Sequence, residues 1–315
     1  MTDLREKIVI WRYFDGKAGH DRQTAGLVDA LSRLISVDPH NLAAERSRVS
    51  LSQAALRQLP YAADLPDPDL IIGAGRRCQW PMLQARSVRG GAAIYLMKPQ
   101  FPMRCFDLCL IPRHDQQAGS PRVIVTEGVL NDIVVTDLKS DQGLVLIGGP
   151  SNHFKWDTAA IIRQLQAIIN ASPTRHWVIG DSRRTPVDTV AALQTLQSDQ
   201  VTFTRRANSG ITWLADQLTR SDLIWISSDS VSMIYEALSA GRAVGVIDVP
   251  ARRSSRITRL VQDLDVRRLV TCYRRWQSGE PLANNTPLAE ASRCAKLIVS
   301  RLNRSTRRFR TPEVS

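Results

Sequence analysis

The sequence predicts an α/β protein of two similar domains facing each other across a cleft. Two glycine-bearing loops carry that expectation, Phe14-Asp-Gly-Lys-Ala-Gly-His20 and Ile147-Gly-Gly-Pro-Ser-Asn-His153. Each follows an apolar run suited to a buried parallel strand, Lys7–Trp11 and Gly143–Ile147, and each precedes a helix-like segment. Glycine lets a backbone approach a ligand closely, and a following helix N-terminus offers N–H groups to an anion. The third observation is that the alternation of strand and helix restarts after the polar stretch Asp137–Gln142.

The first domain, expected over 1–137, opens with strand Lys7–Trp11. A helix over Asp21–Leu34 follows, where Leu27, Leu31 and Leu34 recur at helical spacing. Pro66-Asp-Pro-Asp69 punctuates the chain before Leu70-Ile-Ile-Gly-Ala-Gly75, a buried strand with a glycine exit. A helix through Trp80–Val88 leads to strands at Ala92–Met97, Asp107–Ile111 and Val123–Thr126. The second domain, expected over 143–300, alternates strands at 144–148, 176–180, 201–204, 222–227 and 243–248 with helices at 156–170, 186–197, 211–220 and 230–240. A terminal helix over 288–303 packs back across the first domain, and 301–315 is a basic tail. This rhythm argues for parallel sheets covered on both faces.

At 315 residues, with 43% hydrophobic and 23% charged side chains, the chain fits a globular protein of two domains. No apolar run approaches a membrane span, and the charged N-terminus carries no secretory segment. The expected location is the cytoplasm, with peripheral attachment to the inner face of the membrane as its extension. Cys78, Cys105, Cys109, Cys272 and Cys294 are scattered and read as reduced thiols. The formal charge of +12 concentrates in Arg252–Arg275, with eight arginines against Asp263 and Asp265, and in the tail from Arg301. Such excess suits phosphorylated substrates or an anionic membrane surface. No nucleic-acid partner is expected, because no zinc finger, recognition helix or aromatic single-strand platform accompanies the charge.

Ligands of open α/β sheets bind beyond the carboxyl ends of the strands. In the second half the richest such segment is Ile226-Ser-Ser-Asp-Ser-Val-Ser-Met-Ile-Tyr-Glu236. Ser228 or Asp229 can cap the helix there, leaving other N–H groups for a diphosphate. Ser232 and Glu236 share a helical face, and a glutamate can accept both hydroxyls of a ribose. An ordinary N-cap with a surface glutamate explains the same residues, and Asp229 beside a phosphate favours that alternative. Arg76 and Arg77 leave the strand ending at Gly75, and Arg183 and Arg184 follow Asp181; at a cleft these suit phosphate oxygens, elsewhere they are solvated. His153 and Lys155 stand beside the Gly148–Gly149 loop. Asp67-Pro-Asp69 spells an Asp-x-Asp metal motif but reads as a proline-stiffened turn, so no metal site is assigned.

Asp15-Gly-Lys-Ala-Gly-His20 with Gln23, Gly148-Gly-Pro-Ser-Asn152, Ser182-Arg-Arg-Thr-Pro186 and Ser228-Asp-Ser-Val-Ser-Met233 together resemble the Elm-type family. That family is named for a plant mitochondrial-fission factor, and its bacterial members are classed as glycosyltransferases. The late small-residue helix with Glu236 ahead of Gly241 also resembles the donor domain of GT-B glycosyltransferases, such as the lipid II-forming N-acetylglucosaminyltransferase. The resemblance implies two Rossmann-like domains in a GT-B-like arrangement. By it, Gly148, Gly149, Ser151 and Asn152 form the donor loop and Glu236 binds the ribose. Met233 stands where nucleotide-sugar enzymes often place threonine, which shifts the expected phosphate contacts to Ser228, Ser230 and Ser232. On the acceptor side, Asp15, Gly16, Lys17, Gly19, Arg76, Arg77 and Arg183 are expected to bind acceptor or phosphate. His20 matches the histidine of the acceptor loop, as a general base; the alternative is a cap on the helix starting at Asp21.

The leading reading is a metal-independent glycosyltransferase that moves a hexose-type sugar from a nucleotide-diphosphate donor to a cell-envelope or lipid-linked acceptor. It needs no cofactor beyond that donor substrate, and its partners are the nucleotide sugar and an anionic membrane surface or lipid-linked acceptor. The alternative is a catalytically silent GT-B-like scaffold for protein or membrane interaction. An epimerase or NAD enzyme comes third, since neither Gly-x-Gly-x-x-Gly after the first strand nor a Tyr-x-x-x-Lys pair occurs.

Overall fold

Parallel strands are joined by crossovers, and their apolar runs are buried on both faces by the helices those crossovers carry. The computed structural model of the chain contains this arrangement twice. It describes residues 7–47, 49, 53, 58–115, 118–131, 133, 140–208, 210, 212–283 and 286–308. Two compact units result: Met1–Asp132 together with Ala289–Ser315, and Ile133–Leu288.

The first unit is a parallel sheet of β1 (Ile8–Phe14), β2 (Val37–Ala43), β3 (Leu70–Ala74), β4 (Ala92–Leu96), β5 (Leu108–Pro112) and β6 (Val123–Thr126). The spatial order is β2-β1-β3-β4-β5-β6. Helix α1 (Ala18–Ser32) covers one face, with Leu27 and Leu31 against Ile10, Leu70 and Ile72. Helix α2 (Arg76–Arg89) covers the other, with Cys78, Met82 and Ala85 against Trp11, Tyr13 and Tyr95. The helix expected over Trp80–Val88 runs from Arg76 to Arg89, with Gly75 as its N-cap and Pro81 inside it. Strand β2 escapes the sequence reading: Val-Asp-Pro-His-Asn-Leu-Ala is a partly exposed edge strand, where a sheet tolerates a proline within the strand. Asp67 pairs with Arg89, and Asp69 accepts the Val9 N–H at 2.8 Å, so both acids of the Asp-x-Asp turn hold the fold.

The second unit begins at β7 (Gln142–Leu146) and continues through α3 (Thr158–Asn170), β8 (His176–Gly180), α4 (Val187–Gln194), β9 (Val201–Thr204), α5 (Trp213–Arg220), β10 (Leu223–Ser227), α6 (Val231–Ser239), β11 (Ala243–Ile247), α7 (Arg256–Val266), β12 (Thr271–Cys272) and the single turn α8 (Tyr273–Gln277). Its parallel sheet runs β12-β11-β10-β7-β8-β9. Helix α7 is absent from the sequence reading, which saw its arginines as a charged patch. A Ser255–Thr258 capping box starts it.

Residues 134–139, which hold the boundary expected at 137 and the first half of the linker expected over Asp137–Gln142, lie outside the described residues, and Gln142 already opens β7. The last helix, α9 (Glu290–Arg308), belongs to the first unit although the second domain was expected to run to 300. Its buried Cys294, Ala295 and Ile298 pack into the α1 face, where burying Ile298 alone contributes about 1.5–3 kcal/mol. Glu290 clamps it, accepting the Glu127 N–H at 3.0 Å and pairing with Arg293, which donates to the Val125 carbonyl at 2.8 Å.

All five cysteines are free thiols. Burial pushes Cys78, Cys109, Cys272 and Cys294 each up to about 12, which suppresses the thiolate at neutral pH. Within the basic stretch, Arg275 pairs with Asp265 and Glu280, Arg267 with Asp263, and Arg252 donates to the Phe154 carbonyl. Much of that charge is therefore engaged within the fold. Arg301 donates to the Pro121 carbonyl at 2.9 Å. The tail 309–315 lies outside the described residues.

Candidate active site

Each sheet reverses its winding direction once. In the first unit β1 leads outward to β2, and the chain returns to place β3 on the other side of β1. In the second, β7, β8 and β9 run one way and β10 returns beside β7. Ligand crevices of α/β sheets open at such switch points, beyond the carboxyl ends of the strands. Both glycine loops sit there.

In the first unit the loop after β1 places Asp15 under His20. The His20 Nδ1 lies 3.1 Å from Asp15 Oδ1 and 3.0 Å from Oδ2, and the Asp15 side chain is 1% exposed against 19% for His20. The Lys17 N–H also donates to Asp15, at 3.1 Å. Helix α1 begins at Ala18, with Lys17 at the N-cap, so His20 stands inside the first turn and does not cap a helix. Gln23 donates to the Gly19 carbonyl at 3.1 Å and ties that turn together. Gly75, at the end of β3, packs against the pair: a Cβ there would meet Asp15 Oδ2 and His20 Nδ1, and its φ of +84° also calls for glycine. A carboxylate on Nδ1 holds that nitrogen as the donor and leaves the Nε2 lone pair to take a proton.

Asp15 thus lies on the expected acceptor-side loop with its carboxylate engaged by His20 and by the Lys17 N–H. An acid so placed orients the imidazole. Gly16 and Lys17 are exposed along the same loop and Gly19 in the first turn of α1, and Arg76 and Arg77 are exposed in the first turn of α2, directly after Gly75. Arg12 is engaged elsewhere, donating to Thr24, Asn41 and the Asp21 carbonyl, and its pKa is lowered chiefly by burial.

In the second unit the expected donor loop is closed by side chains from the neighbouring loops after β8 and β10. The Gly148 N–H donates to Ser227 Oγ at 2.8 Å and the Gly149 N–H to Asp229 Oδ2 at 3.0 Å. Asp229 is fully buried, accepts Ser227 Oγ at 2.7 Å, and pairs with Arg184 at 2.7 Å. Arg184 also donates to the carbonyl of Gly149, at 2.8 Å. The Ser182–Thr185 turn fastens the loop from beneath, with both hydroxyls donating to the Gly148 carbonyl. A Cβ on Gly148 would strike Asp229, and one on Gly149 would strike the Arg184 carbonyl. The glycines are needed for these close approaches, and both amides are bonded to side chains of the same unit.

Neither Ser228 nor Asp229 caps α6. The N-cap is Ser230, without a side-chain bond, while Ser228 exchanges hydrogen bonds with the backbone of Val249. The start of α6, with Ser230 buried and Ser232 exposed, therefore keeps its positive end without a side-chain cap. Glu236 lies further along the same helix, 5% exposed. Ser151 and Asn152 do face an opening: with Pro150 and Arg252 they line a cavity of about 370 Å³. Arg252 is the residue the sequence reading missed at this site. It was counted in a surface patch, yet the antiparallel bridge between Phe154 and Ala251 and the Arg252 N–H to His153 carbonyl bond at 2.8 Å bring it to the loop. Arg183 is exposed on the neighbouring turn, and Lys155 is exposed with its N–H on the Pro250 carbonyl at 2.7 Å.

The family described as Mitochondrial fission ELM1 matches residues 18–302, a span that holds His20, the Gly148 loop and Glu236. The chain belongs to this family. A relative named "Uncharacterized protein RP120", from Rickettsia prowazekii (strain Madrid E), is 22% identical over 279 residues, covering 73% of this chain and 79% of that protein. Among solved structures, a UDP-N-acetylglucosamine 2-epimerase matches with a TM-score of 0.56 at 16% identity, covering 98% of this chain and 99% of its own. The UDP co-structure of MnaA from S. aureus matches at 0.51 and 16%, over 94% and 97%. The UDP-GlcNAc 2-epimerase of Methanocaldococcus jannaschii matches at 0.53 and 8%, over 93% and 99%. At these identities the likeness is one of fold, and the fold is that of GT-B UDP-sugar enzymes.

Proposed function

We propose that the protein is a glycosyltransferase of GT-B fold, with a nucleotide-diphosphate sugar bound by its second unit and a hydroxyl acceptor activated by its first. The observation that carries this reading is the His20 imidazole held by the buried Asp15 carboxylate at a topological switch point. His20 Nε2 takes the proton of an acceptor hydroxyl while its oxygen attacks the anomeric carbon; the bond from that carbon to the diphosphate breaks, and the nucleotide diphosphate leaves with the electron pair. Charge on the leaving group falls to the start of α6 and to Arg252, which lines a cavity with Ser151 and Asn152, and Glu236 is the ribose acceptor. A helix end and an arginine supply the stabilisation that other transferases draw from a metal, which supports a metal-independent mechanism.

A second reading has a specific observation behind it. The matched epimerases share this fold, so the motifs of NAD-dependent epimerases do not discriminate here, and epimerisation of the nucleotide sugar itself is the competing reaction. One experiment separates them. Calorimetry identifies a nucleotide sugar that binds, and product analysis with and without added glycan acceptors then follows its fate. Acceptor-dependent release of nucleotide diphosphate, falling about a hundred- to ten-thousandfold in His20→Ala with nucleotide affinity retained, supports transfer. An isomerised sugar in the absence of acceptor favours epimerisation. Binding without turnover favours the scaffold.

A further inference from the structure

The carboxyl edge of the first sheet carries a feature that the general base does not use. Trp80, in the second turn of α2, is 45% exposed, and Phe101, in the loop after β4, is 37% exposed. Their rings stack, with centroids 6.2 Å apart and planes at 25°. Two large aromatic side chains placed together at the surface form a contiguous apolar patch, and such patches mark binding surfaces more often than scattered exposed residues do.

The platform is built, not incidental. Gln79, buried on the same helix, accepts the N–H groups of Gln100 at 2.9 Å and Phe101 at 3.2 Å, while its amide donates to the Tyr95 hydroxyl at 3.0 Å. The loop leaves β4 through Met97, whose φ of 93° is unusual for a residue with a side chain, and the Met97 N–H is fixed to the Leu110 carbonyl at 2.7 Å. These bonds aim Phe101 at Trp80. Arg76 and Arg77 are exposed one turn before Trp80, and Lys98 is exposed in the loop that carries Phe101. The platform also adjoins the proposed base. Gly75 is both the N-cap of α2 and the residue packed on Asp15 and His20. Strands β1, β3 and β4 are successive neighbours, so the loops after β1 and β4 emerge about 10 Å apart.

We propose that Trp80 and Phe101 form the acceptor platform and that the acceptor is a sugar carrying an anionic group. A pyranose ring has an apolar face of axial C–H groups that lies flat on an aromatic ring, and hydroxyls at its edge, one of which would reach His20 Nε2. Arg76 and Arg77 take the phosphate or carboxylate of the same molecule. The inference rests on the transferase reading for the role of His20, but not for the binding itself.

The test uses the full chain and N-acetylglucosamine 1-phosphate as probe, with inorganic phosphate and UDP titrated in parallel by calorimetry. Saturable binding of the sugar phosphate is expected, weakened about tenfold by Trp80→Ala and by the double variant Arg76→Ala/Arg77→Ala, and retained in Trp80→Phe. UDP affinity is unchanged in all of these. Trp80 is a surface side chain, so an unchanged melting temperature accompanies its replacement. Sugar-phosphate binding that is indifferent to Trp80→Ala, or matched by inorganic phosphate alone, overturns the proposal. So does Trp80-dependent flotation on phosphatidylglycerol vesicles without sugar-phosphate binding, which would give the platform to a membrane. Trp80-dependent binding in a protein that fails to bind UDP leaves the platform standing and removes the transferase reading.

Discussion

The two glycine loops occupy equivalent places in their sheets and put them to opposite use. After β1, Asp15 turns its carboxylate onto a histidine and the loop backbone stays exposed, so an added Cβ at Gly16 or Gly19 would meet nothing within 4 Å. At the loop after β7, Asp229 reaches across from the end of β10 and takes the Gly149 N–H while Ser227 takes that of Gly148. One buried acid is directed to a side chain of its own loop; the other is directed to a backbone amide of a neighbouring loop. A glycine loop at a switch point is therefore a position in a fold, and the neighbouring side chains decide its chemistry.

The largest effect expected from this contrast is on folding. A methyl group on Gly149 meets a backbone carbonyl, that of Arg184, in a turn fastened by Ser182 and Thr185. Backbone held on several sides cannot yield cheaply, and Gly149→Ala should cost about 3 kcal/mol or more. Thermal denaturation of the variant checks it. A melting temperature equal to the parent's would mean that the loop is free to move, and the distinction between closed and open loops would fail.

Asp15→Asn comes next and is directed at the first loop. The amide is isosteric but can present its NH2 to Nδ1, which would leave the proton on Nε2 and remove the base. The expected outcome is a fall of about a hundredfold or more in turnover with nucleotide affinity and melting temperature nearly unchanged. A variant that loses stability in proportion to activity would make Asp15 a structural acid like Asp229. Glu236→Gln is expected to weaken nucleotide binding by about tenfold, since a neutral acceptor replaces a charge-assisted one. Calorimetry with UDP reads it, and unchanged affinity would remove Glu236 from the ribose site.

The fold was legible where the sequence is apolar and continuous. Leu70–Ala74 and Val123–Thr126 are buried strands with apolar runs, and their limits matched to within a residue. Strand β2 was hidden because an edge strand with Pro39 and alternating polar side chains shares its composition with a loop. At the site, the glycine beside His20 marked a side chain at the sheet edge, which is where the structure places it. Its pairing with Asp15 was not read from the sequence, because the return of Asp15 beneath a residue five positions later depends on where α1 begins. Asp229 was likewise read as a helix cap; only the register of β10 beside β7 brings it to Gly149. Arg252 is close to Asn152 through a chain reversal after β11 that no local pattern announces.

The smallest expected effect sharpens the comparison most, because it separates what the first loop needs for folding from what it needs for a ligand. Gly19 is the second residue of α1 and is exposed, and an added Cβ would have open space. Its backbone is not in the left-handed region, unlike that of Gly16, where φ is +78°. Glycine in a helix costs up to about 1 kcal/mol relative to alanine, and less near the end, so Gly19→Ala should raise stability by about 0.5 kcal/mol. If nothing binds at this backbone, activity should follow stability and stay level. A substrate that presses on the α1 start would meet the new methyl group first. Gly19→Ala would then melt slightly higher while KM for the acceptor rises, with nucleotide affinity unaltered. That split marks a glycine kept for an approaching molecule; equal kinetics would show that the first loop owes its openness to helix geometry alone and serves the site only through Asp15 and His20.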